Sequence, residues 1–157
     1  MTYWDTSALF KLYVTEPGSQ ELFQIAAETR EPVTSSAIIT AEMLCALHRK
    51  EADGDLGAGS AKVVYSKFLE DIRGNRLLVL PFDSEVAAVA ETVVRLAYQR
   101  RPRIFLRSLD AIHLATALSV RTTVFVTVDG RLRDLAEAVG LKVLPEPSYW
   151  AGPPPDR

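Results

Sequence analysis

The sequence predicts an α/β protein in which a parallel sheet is covered by helices on both faces. Short apolar stretches of strand character alternate with helical periodicity along the whole chain, the order that builds such sheets. At 157 residues, 48% hydrophobic and 24% charged, the chain can bury one core without disulfides or a structural metal.

Residues 2–4 read as the first strand, followed by Asp5, Thr6 and Ser7 and an apolar-periodic helix through about residue 14. Pro17, Gly18 and Ser19 break the chain, and a second helix runs from about 20 to 28. Residues 32–34 form a brief buried strand ending at Ser35 and Ser36, which are placed to cap a helix from 38 to about 50. The glycine- and aspartate-rich stretch 53–60 is a turn, and 61–73 is helical again, so 37–73 makes a helical hairpin. Residues 77–80 are the third strand, stopped by Pro81, and Asp83 caps a helix spanning 86–98. After the basic loop 99–107 comes a helix over 108–120. The β-branched stretch 123–127 is the fourth strand, 132–139 a helix stopped by Gly140, and 142–144 the last strand. From Pro145 onward the chain holds five of its nine prolines, a composition that forms no packed core. The expected organisation is one domain over 1–146 and a proline-rich tail over 147–157.

Composition narrows the function classes. The net charge of -2 advertises no nucleic-acid partner, so any polyanion binding rests on local patches or on metal. No stretch approaches the ~20 apolar residues of a membrane span, and residues 2–12 lack the basic start and long apolar run of a leader. A cytoplasmic address is the expectation. Cys45 has no cysteine to pair with and sits in an apolar helical stretch, where a thiol packs as a small hydrophobe. His48 and His113 are too few and too separated for a histidine-based zinc site.

Four acids stand apart from the rest. Asp5 and Asp129 each follow a strand and precede a helix, a position that suits a helix N-cap as well as a crevice at the strand ends. Glu42 lies about 40° around its helix from Ile38, on the side of Cys45 and Ala46, and a carboxylate on an apolar face needs a partner. That partner is either a site ligand or a buried salt bridge, for instance to an arginine. Asp110 suits the first helical turn after Ser108, where the dipole favours negative charge, yet it shares a face with Leu114 and Ala117 and points inward. His113, one turn on, can hydrogen-bond near the site, though packing is the plainer role. Clustered carboxylates repel unless cations hold them, and oxygen-only ligands suit Mg²⁺ or Mn²⁺. The remaining acids, such as Glu51, Asp53, Asp55, Glu70, Asp71 and Glu85, fall in turns or on polar helix faces.

The run Tyr3-Trp4-Asp5-Thr6-Ser7-Ala8-Leu9, the Glu42 helix, the stretch from Leu109 to Ala117, and Thr127-Val128-Asp129-Gly130-Arg131-Leu132 resemble the motifs of PIN-domain ribonucleases, the VapC-like toxins above all. The resemblance covers residue 2 to about 146, and all four acidic positions are present in order. It implies a three-layer α/β/α sandwich with a five-stranded parallel sheet. It also implies a metal-dependent endoribonuclease site of Asp5, Glu42, Asp110 and Asp129 holding Mg²⁺ or Mn²⁺, homodimerisation, and inhibition by a cognate antitoxin.

One or two such ions would activate a water for in-line attack on a phosphodiester and stabilise the leaving oxygen. Asp5 and Asp110 are expected to make the primary contacts, with Asp129 and Glu42 completing the site directly or through water. Thr6, Ser7 and Thr127 offer hydroxyls for orienting ligands or for local capping. Arg100, Arg101, Arg103 and Arg107, in a stretch without an acid, suit RNA phosphates, an antitoxin contact or a solvated loop. The hairpin 37–73 is a candidate groove for an antitoxin helix. Two rival readings are a phosphatase with Asp5 as nucleophile, disfavoured by Ser7 where a second aspartate is wanted, and a catalytically silent RNA- or protein-binding module. A nuclease for structured DNA is a nearer variant.

Overall fold

Successive side chains on a strand face opposite sides of a sheet, and the central strands use that alternation to build two cores. Tyr3 and Phe125 enter one core with Val93, Leu114 and Leu135, while Trp4 and Val126 enter the other with Leu9, Met43, Leu47 and Phe68. The computed structural model describes residues 1–29 and 32–146, so the expected tail over 147–157 lies outside the described residues.

The strands are β1 (Thr2–Trp4), β2 (Val33–Ser36), β3 (Leu77–Leu80), β4 (Val124–Val126) and β5 (Lys142–Leu144), all parallel, in the order β3-β2-β1-β4-β5. The helices are α1 (Thr6–Phe10), α2 (Ser19–Glu28), α3 (Ile39–Ala52), α4 (Ser60–Arg73), α5 (Ser84–Gln99), α6 (Ser108–Ser119) and α7 (Gly130–Ala138). α1 to α4 cover one face of the sheet and α5 to α7 the other, the expected three-layer sandwich. Chain order runs outward from β1 to β3 on one side and from β4 to β5 on the other. It therefore reverses between β1 and β4, the place where open parallel sheets form a crevice beyond the strand ends. Trp4 pairs with Val126, so the residues that follow both strands emerge side by side.

Most elements sit where the pattern puts them, and the departures have local causes. The first helix ends at Phe10 rather than near Val14, because the amides of Lys11, Leu12 and Tyr13 bond to carbonyls three residues back and tighten the turn. Lys11 is meanwhile held by the Pro17 carbonyl and by Glu16. Ser35 and Ser36 do not cap α3; they complete β2, and the Ser35 hydroxyl donates to the Trp4 carbonyl at 2.7 Å. The α3 cap position is Ile38, with no side-chain bond. Likewise Arg107, not Ser108, occupies the α6 cap position, leaving Asp110 as the third helical residue. The α7 helix begins at Gly130 with Asp129 as its cap. Asp83 caps α5 through the Val86 amide, and Gly140, at φ 88°, takes the left-handed conformation that stops α7. Among the described residues no helix is long and apolar enough to cross a membrane.

Candidate active site

At the switch point lies a cavity of ≈ 690 Å³, within the range of small-ligand pockets. Asp5, Glu42, Asp110 and Asp129 all line it. Glu42 comes from the α1–α4 layer and Asp110 from the α5–α7 layer, so the two aspartates after β1 and β4 stand between acids from opposite faces of the sheet.

Asp5 does both jobs that its position allows. Its Oδ1 accepts the Ala8 amide at 2.9 Å, capping α1, while the Ser7 and Thr127 hydroxyls donate to the carboxylate at 2.8 and 2.7 Å. The residue is 4% exposed. Burial pushes its carboxyl up to about 6, although the charge of His113 and the bonds from Thr127, Ala8 and Ser7 all favour the ionised form. Three good hydrogen bonds do not replace the lost water, so the group lacks a counter-charge that a cation would supply.

Asp129 also caps a helix, accepting the Arg131 and Leu132 amides on Oδ1 at 2.9 and 3.2 Å. Asp110 is pushed upward by burial and then by the charge of Asp129, against the pull of Arg107 and His113. A carboxyl whose proton affinity is raised by a second carboxylate across a cleft fits a site for a cation. Burial also pushes Glu42 upward, but its bonds to His113 and Thr6 and the His113 charge outweigh that and hold it below the ordinary glutamate range. Thr6 donates to Glu42 Oε2 at 2.5 Å, and His113 Nε2 lies 2.7 Å from the same oxygen.

The hydroxyls latch the loops that carry the acids. Thr127 Oγ1 accepts the Asp129 amide at 3.0 Å while donating to Asp5, and Ser7 Oγ accepts the Val128 amide at 3.1 Å. Oxygen donors alone, with water completing the shell, fit a hard divalent ion such as Mg²⁺ or Mn²⁺. Among the described residues no group of three or more acidic, histidine or cysteine side chains is already arranged to hold a metal ion.

The four acids expected from the sequence line one cavity, while several neighbours differ from expectation. The partner of Glu42 is His113, not an arginine, and His113 is packed and site-bound at once, being 1% exposed. Cys45 is exposed and lines the cavity instead of packing in the core. Arg49, one turn beyond Cys45, also lines it; its place one further turn along the Glu42 face was the available signal. Of the four loop arginines only Arg107 lines this cavity, whereas Arg100 borders a separate one of ≈ 440 Å³ with Asp134 and Glu137. Arg101 donates to the Gln99 and Arg100 carbonyls.

The sequence pattern that defines the PIN domain matches residues 2–138, and the chain belongs to that family. Within the family it is 37% identical over 144 residues to Ribonuclease VapC46 of Mycobacterium tuberculosis, covering 90% of this chain and 95% of that protein. It is 32% identical to Ribonuclease VapC47 of the same species, covering 89% and 93%. Mycobacterium tuberculosis VapC20, a sarcin-ricin loop cleaving toxin, shares the fold at a TM-score of 0.66 and 18% identity, over 92% of this chain and 100% of that one. FitAcB from Neisseria gonorrhoeae does so at 0.63 and 20%, over 96% and 99%.

Proposed function

We propose that this chain is the toxin of a toxin-antitoxin pair, an endoribonuclease that hydrolyses RNA phosphodiester bonds at the Asp5, Glu42, Asp110 and Asp129 cleft with Mg²⁺ or Mn²⁺. The observation that carries it is the meeting of these four acids, from four different elements, at the switch point of the sheet. Relatives over 30% identical along nearly the whole chain are ribonucleases, and a matching solved structure is a toxin-antitoxin complex from Klebsiella pneumoniae.

A bound divalent ion would supply Lewis acidity, lowering the pKa of a water and offsetting charge on the scissile phosphate. Asp5 and Asp110 are the primary holders, because burial leaves each short of positive charge. Asp129 and Glu42 complete the set directly or through water. Arg107 and Arg49, at the cavity wall, attract the phosphates flanking the cut, and the polyanion brings its own ions into an otherwise acidic cleft. Arg100, beside Asp134 and Glu137, does not share that role.

The antitoxin docks on the α1–α4 layer. A groove of ≈ 450 Å³ lined by Leu9, Leu12, Tyr13, Val33, Val63 and Leu77 lies there, and Val63 is 70% exposed on the hairpin expected to bind a helix. The chain forms a homodimer and works in the cytoplasm.

Incubation of purified protein with a mixed cellular RNA pool and Mn²⁺, Mg²⁺ or EDTA, beside Asp5→Asn, tests the reading. Discrete metal-dependent cuts, lost in the variant, are expected. Folded, antitoxin-free protein that cuts no RNA with either metal would return the chain to the silent binding module, and equal cutting by both proteins would remove the assigned site.

A further inference from the structure

One buried polar chain at the site is left unused by the cleavage reading. Tyr3 and His113 are 0% and 1% exposed; His113 lines the cavity and Tyr3 lies behind it. Tyr3 Oη lies 2.8 Å from His113 Nδ1, and His113 Nε2 lies 2.7 Å from Glu42 Oε2. We propose that Tyr3 and His113 are positioning residues that hold Glu42 in the cleft, fixing one carboxylate oxygen so that the other is presented to the divalent ion. This rests on the proposed metal-dependent site and extends it to a second tier of residues.

The geometry carries the argument in three steps. An ionised carboxylate only accepts, so the proton between His113 and Glu42 sits on Nε2, and a donor at 2.7 Å is short enough for a charge-assisted bond. Thr6 Oγ1 donates to the same oxygen at 2.5 Å and lies 3.0 Å from Nε2, so Oε2 is saturated from the protein side. Among the described residues the structure gives Oε1 no protein partner, and Glu42 lines the cavity with 19% of its side chain exposed.

The ring itself is held from behind. Tyr3 stacks on Phe125, with centroids 5.4 Å apart and planes 10° apart, and meets the His113 ring edge-on at 5.9 Å. Because β1 and β4 fix Tyr3 and Phe125 in the sheet, the hydroxyl at Nδ1 sets the direction in which Nε2 points. The path therefore runs from the centre of the sheet to the carboxylate. Partners of this kind, one step behind a metal ligand, typically change metal affinity or activity 10- to 100-fold when removed.

Amide side chains separate positioning from packing. Glutamine brings its amide nitrogen to the place of Nε2, while asparagine brings its own to the place of Nδ1. Mn²⁺ binding to RNA-free protein, read by calorimetry, should stay within about threefold of wild type in His113→Gln and weaken roughly 10-fold or more in His113→Asn. Tyr3→Phe keeps the ring stack and loses only the hydroxyl, with a smaller loss of Mn²⁺ affinity expected. In a Glu42→Gln background, His113→Asn should add nothing further, since it acts through that carboxylate. Equal loss in the glutamine and asparagine variants, unchanged Mn²⁺ affinity in a folded His113→Asn protein, or additive losses in the double variant would each overturn the proposal. RNA cutting is not part of this readout, so a protein that binds Mn²⁺ as expected but cuts nothing would count against the nuclease alone.

Discussion

Burial makes the Asp5 carboxyl costly to ionise, and that cost sets a stability prediction. Moving a carboxyl from 3.8 to about 6 disfavours the ionised folded form by on the order of 3 kcal/mol. Between those values the folded chain holds a proton that the unfolded chain has released. Stability from this group therefore falls as pH rises from about 4 to about 6 and stays low above that. Asp5→Asn keeps the Ala8 amide on its oxygen and can turn its own amide to Thr127, so it sheds the penalty without losing the cap. In EDTA at pH 7.5 the variant should unfold at higher urea than wild type, by up to about 2 kcal/mol, and the gap should close by pH 4. It should also be inactive. A variant less stable than wild type at both pH values would show that the hydrogen bonds, not desolvation, dominate at Asp5. The same residue explains why the sequence left helix cap and crevice acid open: Asp5 caps α1 and lines the cavity at once.

Between elements, an ionic joint lies away from the cleft, where Asp71 of α4 ties the turn after α1 to the start of β3. Tyr13 Oη donates to it at 2.8 Å, Arg76 Nε at 2.7 Å and Lys67 Nζ at 3.2 Å. Burial pushes the Asp71 carboxyl upward, but these three donors outweigh it and leave it below the ordinary aspartate range. For a depressed carboxyl the stabilisation is present above the unfolded value, near 3.8, and is lost as pH falls through the lower folded value. Asp71→Asn should cost about 1 kcal/mol at pH 7, with the difference shrinking below pH 3.5. Urea unfolding at pH 7 and pH 3 measures it, and an undiminished gap at pH 3 would assign the loss to packing. The sequence placed Asp71 on a solvated helix face; the pairing needs Tyr13 and Arg76 brought in from other elements, and helical periodicity has no term for that.

For the molecule as a whole, the two cores seen among the described residues, and all four acids, lie within 1–146. A chain shortened to 1–146 should therefore keep its far-ultraviolet circular dichroism, its unfolding midpoint and its metal-dependent RNA cutting. Loss of folding on removal of 147–157 would place part of the domain in the tail.

Local pattern was enough for the elements and for the direction of each acid. A strand followed by aspartate and a helix identifies Asp5 and Asp129, and the 100° step per residue turns Glu42 and Asp110 inward. Local pattern also anticipated the parallel sheet, since helices between strands leave little alternative. The tertiary structure alone decided which faces meet. Strand order put β1 beside β4, opposing layers brought His113 to Glu42, and loop paths separated Arg107 from Arg100. It also turned Cys45 out toward the cleft and drew Ser35 and Ser36 into β2. These contacts join residues up to 122 positions apart, as Asp5 and Thr127 are. Periodicity reports only the side of an element that is buried, whereas its partner across the core is fixed by the joint packing of every other element.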